Sequence, residues 1–320
     1  MAGTLAPEEA PTRRATKRVN AAAEEESLRT PALTAYLFLL PYLVLFAVFV
    51  LAPVVWGIWI SLHEWDPLLP LKPFVGLENY TELFDPTSTT SEPFLDAMKA
   101  TGIFVVLSVP LLVALGLLLA VGLNKRFAGR NMFRALFFAP YVLGVAVVGI
   151  LWRYLLDPNV GVLNYFLGEL GLQADYPWTT QLPWVWAALV IPTLWWTVGY
   201  NTVIFLAGLQ DIPQELYEAA AIDGAGRWSQ FRHVTLPSLR HVTVFVVTIT
   251  ILASANVFGQ PYIITQGQPG EETRTAIMEI TELGFAQSDM GSASAMSTIL
   301  TVLLLVVTAL SFTLFGRRRA

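Results

Sequence analysis

Few side chains in this 320-residue sequence have the type and spacing that chemistry requires. Cysteine is absent, which removes disulfides, thiolate metal sites and cysteine nucleophiles together. The three histidines, His63, His233 and His241, are scattered over the edges of apolar runs, so a shared metal site is not expected, and His63-Glu64 lacks the second histidine of a zinc-protease helix. Glu279 and Glu282 stand one helical turn apart, in a setting where paired carboxylates are expected to be solvated rather than catalytic. A phosphate-cradling loop needs a Gly-Lys pair, and Lys17, Lys72, Lys99 and Lys125 follow Thr, Leu, Met and Asn. What remains is polar but neutral. Asn201, Thr202, Ser254, Asn256 and Gln260 lie inside long apolar stretches, with Trp195, Trp196, Tyr200 and Phe258 beside them. Amides and hydroxyls with aromatic faces suit an uncharged polyol, whereas hydrogen bonding between helices is the alternative use of the same groups.

The elements that must position these residues are set by composition. The chain is 55% hydrophobic and 13% charged, with a mean hydropathy of +0.57, values outside the range of soluble domains. A bilayer core about 30 Å thick needs roughly 20 apolar residues per helix. Six runs of that kind occur, over about 33–61, 101–123, 132–154, 184–208, 241–263 and 294–315. The expected fold is therefore all-α, a polytopic membrane protein with six transmembrane helices. Pro140 and Pro192 fall inside two of the runs, which helices in a bundle accommodate better than helices in water.

Charge gives the expected orientation. If the termini and the even-numbered loops face the cytoplasm, that side holds 15 of the 19 Lys and Arg residues, including Arg317, Arg318 and Arg319 at the basic end 317–320. Only Lys72, Lys99, Arg153 and Arg274 fall outside, with 15 of the 24 acids. Residues 1–32 have no apolar face to bury and read as a disordered cytoplasmic tail, not a cleavable signal peptide. The pI of about 5.3 argues against a nucleic-acid partner. The longest external segment, 62–100, is acidic with interspersed aromatics. Trp56, Trp59 and Trp65 suit an interfacial belt, and a docking surface for an external partner is the other reading.

One cytoplasmic loop, 211–239, differs from everything around it. Asp211 and Pro213 are helix-start signals, Glu215 and Glu218 suit the early turns, and Asp223-Gly224 ends the helix. A second short helix is expected from Arg227 to about Val234, closed by Leu236-Pro237. Ala219, Ala220 and Ala221 let another surface approach the backbone closely, which points to a knob inserted into a cytoplasmic partner. A hairpin lying on lipid is the alternative.

The segment from Glu218 to Pro237 resembles the EAA loop of the permease subunits of bacterial binding-protein-dependent ABC importers. It has Glu218-Ala219-Ala220, then Asp223-Gly224-Ala225, then Phe231 and Leu236-Pro237 at the family spacing. The likeness continues through Pro41 and Pro53, Phe74-Val75-Gly76-Leu77-Glu78-Asn79-Tyr80, Phe133-Arg134, Gly161 to Asn164, Phe258 to Thr265 and Gly291 to Ala295, and is strongest to the sugar-permease branch of the maltose and glycerol-phosphate type. Two positions depart from it. Thr265-Gln266-Gly267-Gln268-Pro269 stands where relatives often carry Thr-x-Gly-Gly-Pro, and His241 where they often carry proline.

The resemblance implies a type I ABC-importer permease fold in a bacterial inner membrane. It implies a second homologous permease, a cytoplasmic ATPase dimer that binds ATP and Mg, and an extracytoplasmic solute-binding protein, with no cofactor or metal in this chain and no enzymatic activity. Glu218, Ala219, Ala220, Asp223, Gly224, Ala225, Leu236 and Pro237 would couple to the ATPase. Rival expectations are a permease of the same superfamily for glycerol phosphate or another small solute, and an ion-coupled secondary transporter. The second would want ionisable groups in mid-membrane, and here they lie at span ends.

Overall fold

The computed structural model describes residues 32–172 and 175–316. Most of the tail expected at 1–32 and all of the basic end 317–320 lie outside them. Among the described residues the chain is helical, with one isolated bridge between His63 and Phe74. It forms two units, Met1–Gly57 and Ile58–Ala320.

The first apolar run is helical throughout: α1 (Ala32–Phe46), a π turn (Ala47–Leu51) and α2 (Ala52–Ile60). No residue in its most apolar stretch is buried, which suits a helix that is apolar on every face and is covered by lipid or by other apolar helices.

In the second unit, α3 (Glu78–Glu82) is followed by the 34-residue α4 (Ser91–Asn124). α4 begins ten residues before the expected run at 101–123, because the charges that lower its hydropathy lie on one face only. Phe94, Ala97, Ala100, Thr101 and Phe104 recur at helical spacing and are buried, while Asp96 and Lys99 are not.

The run at 132–154 is not a straight span. α5 (Arg130–Phe138) passes into a 3-10 turn (Ala139–Val142), and after extended Leu143 the chain enters α6 (Val145–Leu155), with a bend of 96°. Pro140 lacks the N–H that would continue the α ladder, so the break falls there. α7 (Val162–Glu169) precedes the 27-residue α8 (Trp184–Gln210), which carries Pro192 internally.

The cytoplasmic-loop candidate comprises α9 (Gln214–Ile222), α10 (Arg227–Gln230), a π turn (Phe231–Thr235) and α11 (Leu236–Ser238). The second helical stretch thus runs through Leu236-Pro237 instead of closing there, with the π turn leading directly into α11. A 67° bend separates it from α12 (Arg240–Ala255). α12 stops eight residues short of the expected 263, and a π turn (Pro261–Thr265) completes that run. α13 (Ala276–Thr281), a further π turn (Glu282–Ala286) and α14 (Met290–Gly316) finish the described chain. Among the described residues four helices are long and apolar enough to cross a membrane, or up to six if each bent pair counts as one span.

α4 and α8 form the central pair. Their hairpin-side ends share a core of Ala120, Phe205, Leu206 and Leu209 with Leu239 and Val246. At the far end Phe104, Leu156, Trp178, Val185 and Leu189 form another. α5 lies so close to α8 that a Cβ on Gly199 would stand 2.0 Å from the Phe137 carbonyl oxygen. Backbone approach through a small residue is the usual way apolar helices pack without a hydrophobic driving force.

The segment before α3 is stitched down by side chains. Asn79 Nδ2 donates to the Ser61 and His63 carbonyls at 2.9 and 3.0 Å, Tyr80 and Ser61 hydroxyls meet at 2.6 Å, and the Met290 N–H donates to the Trp65 carbonyl. Trp59 packs on His63 and Trp65. His63, which the sequence places at a span edge, is buried, and its Nδ1 lies 2.7 Å from the Trp59 carbonyl.

At the end of α3, Glu82 has Glu64, Glu78, Asp85 and Asp289 near enough to act on its charge. Partial burial, then Glu78, Asp289, Asp85 and Glu64 in turn, push the Glu82 carboxyl above its ordinary range. A carboxyl whose folded-state pKa is raised stabilises the fold most below its unfolded pKa and loses that contribution as pH rises through the raised value. Glu82→Gln is therefore expected to melt no lower than the parent at pH 7, with the difference shrinking as the pH falls below the ordinary carboxylate range. Thermal unfolding in detergent across that range checks it, and a variant destabilised at pH 7 contradicts it.

Candidate functional site: a neutral cavity and an exposed helical hairpin

A cavity of about 590 Å³ opens where α4, the 3-10 turn, α8 and α12 converge with residues 256–260. Its lining includes Asn201, Ser254, Asn256, Phe258 and Gln260 from the polar and aromatic residues that the sequence places inside the apolar runs. Trp196 and Tyr200 line it as well, and none of the lining residues is charged.

Trp195 is not among them. One residue is 100° of helix, so Trp195 turns away from Trp196 into a separate apolar groove with Leu115, Pro140 and Val198, and meets Trp152 edge-on at 5.9 Å. Thr202, one position beyond Asn201, is buried and its hydroxyl donates to the Val198 carbonyl.

The cavity's polar groups are partly committed. Asn201, 4% exposed, donates through Nδ2 to Thr250 Oγ1 at 3.1 Å, joining α8 to α12. Ser254 Oγ accepts from Ser108 at 3.2 Å, joining α12 to α4, and Asn256 Nδ2 donates to the Leu252 carbonyl. Asn201 and Ser254 thus serve both helix pairing and the cavity lining.

Tyr141 was not anticipated. It stacks on Tyr200 with ring centroids 4.7 Å apart and planes 17° apart, and Trp196 holds its rim by donating from Nε1 to the Leu143 carbonyl. Only its place immediately after Pro140 hinted at it, because the kink that turns it inward is tertiary.

The hairpin forms the second half of the site. Pro213 precedes α9, and Glu215 sits in its first turn. At its end Gly224 adopts φ +80°, the Gly224 N–H donates to the Ala221 carbonyl, and the Ala225 N–H donates to the Ala220 carbonyl. This is the paired closure that glycine favours at a helix C-terminus, since no Cβ opposes the left-handed conformation. Gln230 Nε2 reaches back to the Ala225 carbonyl, and the Tyr217 and Thr235 hydroxyls meet at 3.0 Å, so the two arms are locked together. Leu239, fully buried, with Ile212 packed alongside, roots the hairpin in the α4, α8 and α12 core.

Glu218, Ala219, Asp223, Gly224, Leu236 and Pro237 are exposed, while Ala220 and Ala225 are half-buried. Beside them Ile222 is 87% exposed and Trp228 72%, with Trp228 stacked on Phe231. These two were also missed. They flank the Gly224 turn and are the most exposed of the large apolar side chains in this loop.

Glu279 corrects an expectation. It is not solvated but 4% exposed, and accepts from Arg274 at 3.1 Å, while Arg274 also meets Glu271 at 2.9 Å. Glu282 does not join it. Among the described residues no group of three or more His, Cys, Asp or Glu is placed to hold a metal ion.

A helical membrane bundle with a neutral central cavity and a rigid protruding hairpin defines a membrane permease. Residues 112–320 match the family described as the binding-protein-dependent transport system inner membrane component. The chain is 35% identical over 273 residues to the trehalose/maltose transport system permease protein MalF of Thermococcus litoralis, covering 85% of this chain and 90% of that one. It is 33% identical over 284 residues to the sn-glycerol-3-phosphate transport system permease protein UgpA of Yersinia pestis, covering 88% and 94%. Among solved structures, a bacterial ABC transporter involved in import of the acidic polysaccharide alginate has a chain of the same fold, with a TM-score of 0.76 and 24% identity over 95% of this chain and all of that one. The chain belongs to the inner-membrane permease family of binding-protein-dependent ABC importers, and is a transport subunit, not an enzyme.

Proposed function

We propose that this permease moves an uncharged sugar, a mono- or oligosaccharide, through the cavity between α4, α8 and α12. The observation that carries the reading is the cavity's lining, in which amides and hydroxyls stand beside Tyr141, Trp196, Tyr200 and Phe258 with no charged side chain. An anionic solute such as glycerol phosphate would be desolvated there without a countercharge. The trehalose/maltose relative supports the sugar, and the glycerol-phosphate relative is why the test must include that solute.

In this reading each bent helix pair is one span, giving six, with both termini and the α9–α11 hairpin in the cytoplasm, as the distribution of Lys and Arg favours. Glu218 to Gly224 seat in a groove of a separate ATPase dimer that binds ATP and Mg, with Ile222 and Trp228 covered on docking. A second homologous permease completes the path, and an extracytoplasmic binding protein delivers the solute. Closure of the ATPase dimer moves the hairpin, and its root at Leu239 passes that movement to α8 and α12 as a rigid-body change of access.

The test is uptake by the reconstituted importer of maltose, trehalose, arabinooligosaccharides and glycerol phosphate. At least one neutral sugar is expected to be taken up, and Tyr200→Ala is expected to lower that uptake about threefold to tenfold through loss of one aromatic face. Uptake of glycerol phosphate alone sinks the assignment.

A further inference from the structure

At the far end of the bundle from the hairpin a second, smaller cleft of about 240 Å³ is lined by Arg153, Asp157, Thr179, Thr180, Gln266 and Gln268, with Ile264 and Thr265 as its floor. It lies along the same boundary as the cavity. Val145 at the start of α6 lines the cavity and Arg153 near its end lines the cleft, eight residues or about 12 Å apart along a helix. On the other wall the chain runs from Phe258, Gly259 and Gln260 in the cavity to Ile264 and Gln266 in the cleft. Tyr262 lies between them, 56% exposed and stacked on Phe258 at 4.9 Å.

The cleft is built from rigid parts. Thr265 and Thr273 hydroxyls meet at 2.8 Å, Thr273 Oγ1 donates to the Gln268 carbonyl, and Thr275 Oγ1 donates to the Val257 carbonyl, all three threonines being buried. Across from them Trp178, immediately before Thr179, is buried and donates from Nε1 to Asn164 Oδ1 at 2.7 Å.

Yet the polar groups that line the space keep donors and acceptors to spare. Arg153 makes a single 3.3 Å hydrogen bond, to the Ile263 carbonyl, and no ion pair among the described residues. The Gln266 and Gln268 amides make no side-chain hydrogen bond among them. Asp157 uses only Oδ1, for the Asn159 and Val160 N–H groups.

Gln266 also holds φ at +54°, a left-handed conformation that a non-glycine residue adopts only with backbone strain. Glycine would sit there without strain, so the amide side chain stands there against local backbone preference, and such outliers concentrate at functional sites.

We propose that this cleft is an outer subsite, where an uncharged polyhydroxy solute is held before it passes along Tyr262 into the cavity. A sugar hydroxyl both donates and accepts. The cleft offers donors on Arg153 and the two amides, acceptors on Asp157 and the same amides, and one formal charge of each sign, so it favours a neutral ligand. The inference rests on the sugar assignment above and adds a place and a set of residues to it.

Two variants test it in the complete reconstituted importer, with maltose and trehalose as probes. Gln266→Gly removes the amide while relieving the backbone, so it is expected to melt no lower than the parent. Arg153→Gln removes the charge. Each is expected to raise the half-saturating concentration of sugar-loaded binding protein about threefold to tenfold, with a smaller effect on the maximal rate. Because this chain has no cysteine, Gln266→Cys gives it a single thiol, whose reaction with a methanethiosulfonate reagent is expected to slow when the transported sugar is present. Sugar uptake by the parent with both half-saturation values unchanged and no protection of the thiol overturns the outer subsite alone. Failure of the parent to move any neutral sugar overturns the sugar assignment and the subsite together.

Discussion

Gly224→Val is expected to abolish uptake, by more than about tenfold, while the permease still inserts, melts near the parental temperature and keeps its central cavity. The cause is local. Gly224 ends α9 at φ +80°, where a β-branched residue is strongly disfavoured, and nothing lies within 4 Å of the position a Cβ would take. The penalty therefore falls on the turn between α9 and α10, not on the bundle. That turn aims Glu218, Ala219, Ile222 and Asp223 at whatever the hairpin docks against. Gly224→Asn should keep substantial uptake, since asparagine tolerates left-handed backbone, and this separates conformation from side-chain loss. Glu218→Lys, which reverses an exposed charge without touching the turn, should also impair uptake while the ATPase continues to hydrolyse ATP uncoupled. Uptake at the parental rate in both Gly224→Val and Glu218→Lys would remove the docking role from this hairpin.

The second large effect belongs to the membrane core. Gly199→Val should prevent accumulation of folded permease, because the new Cβ would stand 2.0 Å from the Phe137 carbonyl oxygen, 2.6 Å from its carbon and 2.9 Å from Phe138 Cα. All three are backbone atoms, so no rotamer change relieves the clash, and α5 must part from α8. Overpacking typically costs 1–3 kcal/mol even where side chains can adjust, and here they cannot. Gly199 lies between Trp196 and Tyr200, so even a partial separation would open the cavity wall at Tyr141. Gly102→Ala, at a position with nothing within 4 Å, is the matched control and should leave the melting temperature in place. Equal melting temperatures for Gly199→Val and parent would contradict the close α5–α8 approach.

Much of this was legible before any coordinates. Long apolar runs with charges at their ends require helices in lipid, since backbone polar groups have no other partner there. Asp223-Gly224 after an alanine-rich, acid-led stretch specifies a helix and its end, because the left-handed cap is a property of the residue itself. The neutral residues at 201, 254, 256 and 260 were recognisable because polar groups are conspicuous inside apolar runs.

Tertiary structure decided the rest. Trp195 and Trp196 are identical in type and adjacent in sequence, and only the packing of α8 against α4, α5 and α12 puts one in the groove and the other in the cavity. Tyr141 enters the cavity from the 3-10 turn just before the chain bends by 96° between Val142 and Val145, and only the packing of that turn on α8 stacks it on Tyr200. Glu279 is buried because α13 packs against α4 and α14, and Arg274, just before α13, pairs with it there. Periodicity and caps act over one or two turns and can be read along the chain, whereas the facing of a side chain depends on which helix lies opposite, and that is settled only when distant segments meet.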